Sequence, residues 1–129
     1  MDDDGPPHTA VSEHEPAATA GRQIRHMLRA LLTGWGLAAD AVEDALLVVE
    51  ELVANVVDHA RTPFQLAVQL SGHVLRVAVR DRAGGLPELR PFDPEAPRGR
   101  GLQVVTTLAV RWGCDRHEQG KTVWVDLAA

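Results

Sequence analysis

Apolar positions recur along this chain with two different periods, and the switches between them mark its elements. Ile24, Met27, Leu28, Leu31 and Leu32 recur at helical spacing, the stripe of an amphipathic helix that buries one face. Pro16 suits the first turn of that helix, where a missing N–H costs nothing, and Gly34 and Gly36 stop it. A second, longer stripe runs through Val42, Ala45, Leu46, Val49, Leu52, Val53, Val56, Val57 and Ala60. Asp40 and Glu43 stand three apart at its start, as in a capping box. Thr62 precedes Pro63, which disfavours helix, so this element is expected to end near Ala60 or Arg61.

The period then falls to two. Phe64, Leu66, Val68 and Leu70 alternate with Gln65, Ala67 and Gln69; after a turn at Ser71 and Gly72, Leu75, Val77 and Val79 alternate with Arg76 and Arg80. This predicts a β-hairpin. Residues 81–100 hold Pro87, Pro91, Pro94, Pro97, Gly84, Gly85 and Gly99, a composition that excludes regular structure and reads as a lid or binding loop. Leu102, Val105, Leu108 and Ala109 predict a short third helix. Val110 to Asp115 and Lys121 to Leu127 predict two more strands around a Gln119-Gly120 turn. The expected fold is α+β: a two-layer sandwich with helices on one face of a four- to five-stranded mixed, mostly antiparallel sheet. Residues 16–129 form the domain in this reading. Residues 1–15 are a mobile N-terminal segment, with only a weak edge-strand pattern over His8 to Ser12.

Composition removes several classes of function. The 129 residues suit one domain, and their net charge of -5 argues against a duplex-binding surface. Aromatics are 4% with no Tyr, which argues against a base-stacking platform. The single Cys114 excludes an internal disulfide and a multi-cysteine zinc site. Asp2, Asp3 and Asp4 have the wrong sign for a secretory signal, and no apolar run is long enough to span a bilayer, so the expectation is a soluble cytoplasmic protein.

Candidate chemistry gathers at four places. Glu51, Asn55 and His59 stand four residues apart and form a polar row off the apolar stripe of the second helix. Glu50, five residues from Asn55, lies well round the helix from that row. Asp81 ends a strand and is followed by Ala83-Gly84-Gly85. Gly99-Arg100-Gly101 opens the third helix, and Thr122 follows Gly120 and Lys121 at the start of the last strand. Each feature has an ordinary reading by itself: a solvated helix face, a strand-end cap, turn glycines. Together they meet the needs of a nucleotide. Glycines at a helix N-terminus let backbone N–H groups approach phosphate. A carboxamide oxygen suits Mg²⁺, a carboxylate one turn away can take a proton from an attacking hydroxyl, and a buried Asp can accept from an exocyclic amine. There is no GxxxxGK[ST] loop and no HRD loop.

In this order and spacing the four places resemble the boxes of the GHKL (Bergerat-fold) ATPases. Glu50 to Ala60, ELVANVVDHA with its leading Glu, looks like the N box. DRAGG looks like a degenerate first glycine box, GRGLQVV like the second, and GKTVW like the terminal Thr-bearing strand. Within that superfamily the chain is similar to the anti-sigma-factor serine/threonine kinases common in actinobacteria, over roughly residues 17–127. The resemblance implies Glu51 as catalytic base and Asn55 as ATP-binding residue and Mg²⁺ ligand. It implies Asp81 and Gly85 at the adenine, Gly99, Arg100, Gly101 and Leu102 around the phosphates, and Thr122 supporting the adenine site. ATP and Mg²⁺ are the implied cofactors. The implied partners are a sigma factor and an anti-anti-sigma protein of the STAS-domain type, with homodimers usual. Ala83 departs from the pattern, standing where the first glycine of DxGxG belongs. That departure favours the other reading, a regulatory docking module that binds ATP weakly or not at all.

Overall fold

Ile24, Leu28 and Leu32 are spaced four apart and fully buried, and they define the inner face of α1 (Ala20–Gly34). The computed structural model describes residues 8–83 and 101–129, with side chains in the second stretch from Val104 onward. α1 ends in a Schellman motif: the Gly36 N–H donates to the Thr33 carbonyl at 3.0 Å and the Leu37 N–H to the Leu32 carbonyl at 3.2 Å. Gly36 takes φ +88°, a conformation that favours glycine. At the other end the helix starts later than Pro16 suggests. Residues 18–19 form a turn, and Thr19 is the N-cap without a side-chain bond.

The second helix, α2 (Ala39–Asn55), buries Val42, Ala45, Leu46, Val48, Val49, Leu52 and Val53. The capping box expected of Asp40 and Glu43 is not formed. Ala38 is the N-cap and makes no side-chain bond, while Asp40 lies in the first turn, where a carboxylate favours the helix dipole. Glu43 reaches across to Arg29 of α1 instead. From Val56 to Ala60 the helix widens to π geometry, closed by the Arg61 N–H on the Val56 carbonyl at 2.7 Å. Arg61 adopts φ 55°, the left-handed region, and turns the chain toward the sheet.

The sheet has five strands in the order β1 (His8–His14), β2 (Phe64–Ser71), β3 (Val74–Asp81), β5 (Gly120–Ala128), β4 (Arg111–His117). Every pairing is antiparallel, so the mixed sheet anticipated above is replaced by a wholly antiparallel one among the described residues. β1 lies within the segment read as mobile from sequence. It pairs with β2 along its whole length, His8 opposite Leu70 and His14 opposite Phe64. Rings seat it further: His8 stacks on Trp35 and His14 on Phe64.

The third helix, α3 (Gly101–Leu108), follows the segment 84–100 and packs against α2. α2 is therefore central in the helical layer, between α1 and α3, and it also contacts β3 and β5. One sheet face, carrying Leu66, Val68, Leu75, Val77, Val79, Val123, Val125 and Leu127, closes against the helices to form the core. The other carries Arg76, Arg80, Thr122, Trp124 and Asp126. No helix among the described residues is long and apolar enough to cross a membrane.

Candidate functional site

Alternation along β3 delivers Asp81 to the helix-facing side. Leu75, Val77 and Val79 precede it on the same face, and like them it is buried, with 4% of its surface exposed. A carboxylate taken from water in this way needs partners. One oxygen, Oδ1, accepts the Ala83 N–H at 2.9 Å, bending the chain just past the strand. The other, Oδ2, lies 2.9 Å from the Lys121 ammonium. Lys121 stands directly opposite Asp81 in the β3–β5 register and is itself only 8% exposed. Gly120 makes this approach feasible. Its φ is +145°, and a Cβ there would sit 1.9 Å from the Asp81 carbonyl oxygen, so no larger residue fits.

Lys121 was not among the residues singled out from sequence, yet two signals mark it. It is the only lysine in the chain. It also alternates with Val123, Val125 and Leu127, which places it on the apolar face of its strand. By the same alternation Thr122 falls on the opposite face. Its hydroxyl is 2.8 Å from His117 Nε2, so the structure does not bring Thr122 to Asp81.

The polar row sits on the neighbouring element. Glu51 and Asn55 are half-buried one turn apart on α2, and His59 is exposed on the π turn beyond. Glu51 lines a groove of about 440 Å³ between α1 and α2, with Arg22, Arg25 and Glu50 on its rim. Glu50 pairs with Arg25 at 3.4 Å. Asn55 is the last α-helical residue before the π turn, and such changes of winding are frequent at functional sites. Thr62, just past the turn, accepts the Arg82 N–H at 3.0 Å. That bond ties the end of the α2 segment to the chain immediately after Asp81.

α3 packs beside α2, and its backbone begins at Gly101. Gly101 and Leu102 therefore open a helix, and the N–H groups of a first helical turn have no partner within the helix itself. Gly85, Gly99 and Arg100 lie outside the described residues. No group of three or more His, Cys, Asp or Glu that could hold a metal occurs among the described residues. Mg²⁺ is usually held by one or two protein oxygens together with phosphates and retained waters, and the Asn55 carboxamide would offer one oxygen of that kind. Cys114 also faces the helix side, and burial pushes its thiol above the ordinary value.

An antiparallel sheet with helices on one face defines an α+β class, and similarity to known proteins places the chain within it. Residues 14–127 match the histidine kinase-like ATPase domain, and the chain belongs to that family, the GHKL ATPases. Among solved structures, the chain holding the RsbU and RsbW domains of Rv1364c from Mycobacterium tuberculosis aligns with a TM-score of 0.70 at 20% identity. The alignment covers 96% of this chain and 32% of that one, so the likeness is one of fold with a minor part of a longer protein. No curated protein matches significantly.

Proposed function

We propose that this domain binds ATP with Mg²⁺ and acts as an anti-sigma factor with serine/threonine kinase activity. In this reading it sequesters a sigma factor and phosphorylates an anti-anti-sigma protein of the STAS type in the cytoplasm. The observation that carries it is the placement of a buried Asp81 beside the helix bearing Glu51 and Asn55, in a chain of the histidine kinase-like ATPase family. The phrases shared with the actinobacterial kinase group support the choice within that family.

Each residue then has a task. Asp81 accepts the exocyclic amine of adenine. Asn55 offers its carboxamide oxygen to Mg²⁺, and the α3 N-terminus, with Gly99, Arg100, Gly101 and Leu102, receives the phosphates. Gly85 lines the base, and Thr122 supports that site from the far face of β5 only through the strand backbone. Glu51 takes the proton from the attacking hydroxyl of the partner. Bound ATP supplies the phosphoryl group, and Mg²⁺ offsets the charge on it.

Incubation with labelled ATP, Mg²⁺ and a candidate STAS protein tests the reading. Transfer of label to a Ser or Thr of the partner is expected, with a loss of about 10²–10⁴-fold in Glu51→Ala, the range for a general base. Absence of transfer by the wild type, with sigma binding retained in Glu51→Ala and Asn55→Ala, would falsify the kinase assignment. The docking-module reading would then replace it. That second reading is favoured by Ala83 and by the lysine already seated on Asp81.

A further inference from the structure

Both oxygens of Asp81 have partners within the chain itself. Its two oxygens meet the Ala83 N–H and the Lys121 ammonium, each at 2.9 Å, and little of the carboxylate faces solvent. An ammonium in a poorly solvated site is a far stronger partner for a carboxylate than a neutral amine is. Nor is the pair an incidental surface contact. The sole lysine of the chain is buried in register with it, behind a glycine that no other residue could replace.

We propose that Lys121 is an intramolecular competitor for the base-binding carboxylate, so that it sets both the affinity and the base selectivity of the nucleotide site. The proposal rests on the reading of Asp81 as acceptor for the base amine. To present that carboxylate, the chain must first swing the Lys121 ammonium aside. Apparent affinity is reduced by the fraction of molecules in which the pair is open. Lys121 also relaxes discrimination. An ammonium at the base edge can donate to a carbonyl oxygen, so it tolerates a base carrying oxygen where adenine carries its amine. A threonine at position 121 would neither neutralise Asp81 nor compete for it at full charge.

Calorimetric titration of MgATP and MgITP into the wild type, Lys121→Thr, Lys121→Gln and Asp81→Asn tests this. ITP presents a carbonyl oxygen in place of the adenine amine. Lys121→Thr is expected to bind ATP about tenfold or more tightly than the wild type, equivalent to about 1.4 kcal/mol. ITP gains less, so the ATP-to-ITP ratio rises with it, a change that a merely structural lysine would not produce. Lys121→Gln keeps an uncharged donor beside Asp81 and shows the same direction if the threonine variant does not fold. The wild type offers an independent readout, because a single lysine gives a single Nζ resonance. Saturating ATP is expected to move that resonance, and an unmoved signal overturns the competition. Unchanged or weaker ATP binding in folded Lys121→Thr, alongside loss of binding in Asp81→Asn, overturns the role of Lys121 and leaves Asp81 as base acceptor. Equal ATP binding in the wild type and Asp81→Asn, or none in any folded variant, overturns the reading of Asp81 itself.

Discussion

Two aspartates are buried in one sheet, on opposite faces, and their partners give them opposite characters. Asp126, on the helix-free face, is 2% exposed, and Asp81, on the helix side, is 4% exposed. Asp126 is flanked in register by Arg76 of β3 and Arg111 of β4. Arg76 donates from Nε to Oδ1 at 2.7 Å and from its terminal nitrogen to Oδ2 at 2.9 Å, and Arg111 adds a third bond at 2.9 Å. The Arg76 guanidinium also lies over the Trp124 ring, 4.4 Å from its centre. Asp81 has one lysine and one backbone N–H. A guanidinium fork is planar, permanently charged and bidentate, whereas an ammonium is a point charge on a flexible stem. The first arrangement clamps three strands; the second, in the proposal above, opens to admit a base. Burial is therefore common to the two carboxylates, and their partners are what differ.

The sharpest break in this comparison comes from Lys121→Met. It leaves a buried carboxylate without its counter-charge, and loss of one partner of a buried pair costs about 3–5 kcal/mol. Urea unfolding should register that loss, and the double variant Asp81→Asn/Lys121→Met should recover most of it. A double variant as unstable as the single one would deny the pair its importance.

A smaller loss is expected on the other face. Asp126→Asn removes charge-assisted bonds, but the two arginines left behind reach solvent, so about 1–3 kcal/mol is the scale. ATP affinity should not change. The same variant isolates an acid limb. The Arg76 hydrogen bonds, reinforced by Arg111, hold the Asp126 carboxyl below the usual carboxylate range. Its contribution is therefore complete above an unfolded value of about 3.9 and is lost as pH falls through the lower folded value. Stability measured from pH 5 downward should fall less steeply in Asp126→Asn; parallel curves would remove Asp126 from the acid response. The smallest effect belongs to Arg111→Ala. Its side chain is 70% exposed, and exposed pairs contribute about 0.2–1 kcal/mol. A loss as large as that of Asp126→Asn would show that Arg111, rather than Arg76, is the anchor.

Legibility from sequence followed the reach of the interaction. The stripes of α1 and α2, the β2–β3 hairpin and the row of Glu51 and Asn55 rest on contacts within a few residues, and periodicity displays them directly. β1 was faint because an edge strand buries little, and His8 to His14 alternates only weakly between polar and apolar. The cap at Ala38 was missed for a related reason. Asp40 and Glu43 have capping chemistry, but Glu43 finds a tertiary partner in Arg29. The π turn carries no sequence signature of its own.

By itself, the sequence determined the α+β class, the order of elements from α1 onward and a polar row on the second helix, because side-chain period is a local property of the backbone. It also held the clue that its one lysine lies on an apolar strand face. Only the tertiary structure decided what that lysine meets. Asp81 and Lys121 are forty residues apart, and their pairing depends on the β3–β5 register, which a one-residue slip would invert, carrying Thr122 inward and Lys121 out. Register is set by the collective burial of Leu75, Val77, Val79, Val123, Val125 and Leu127 under α2, and no single stretch of the chain contains that information.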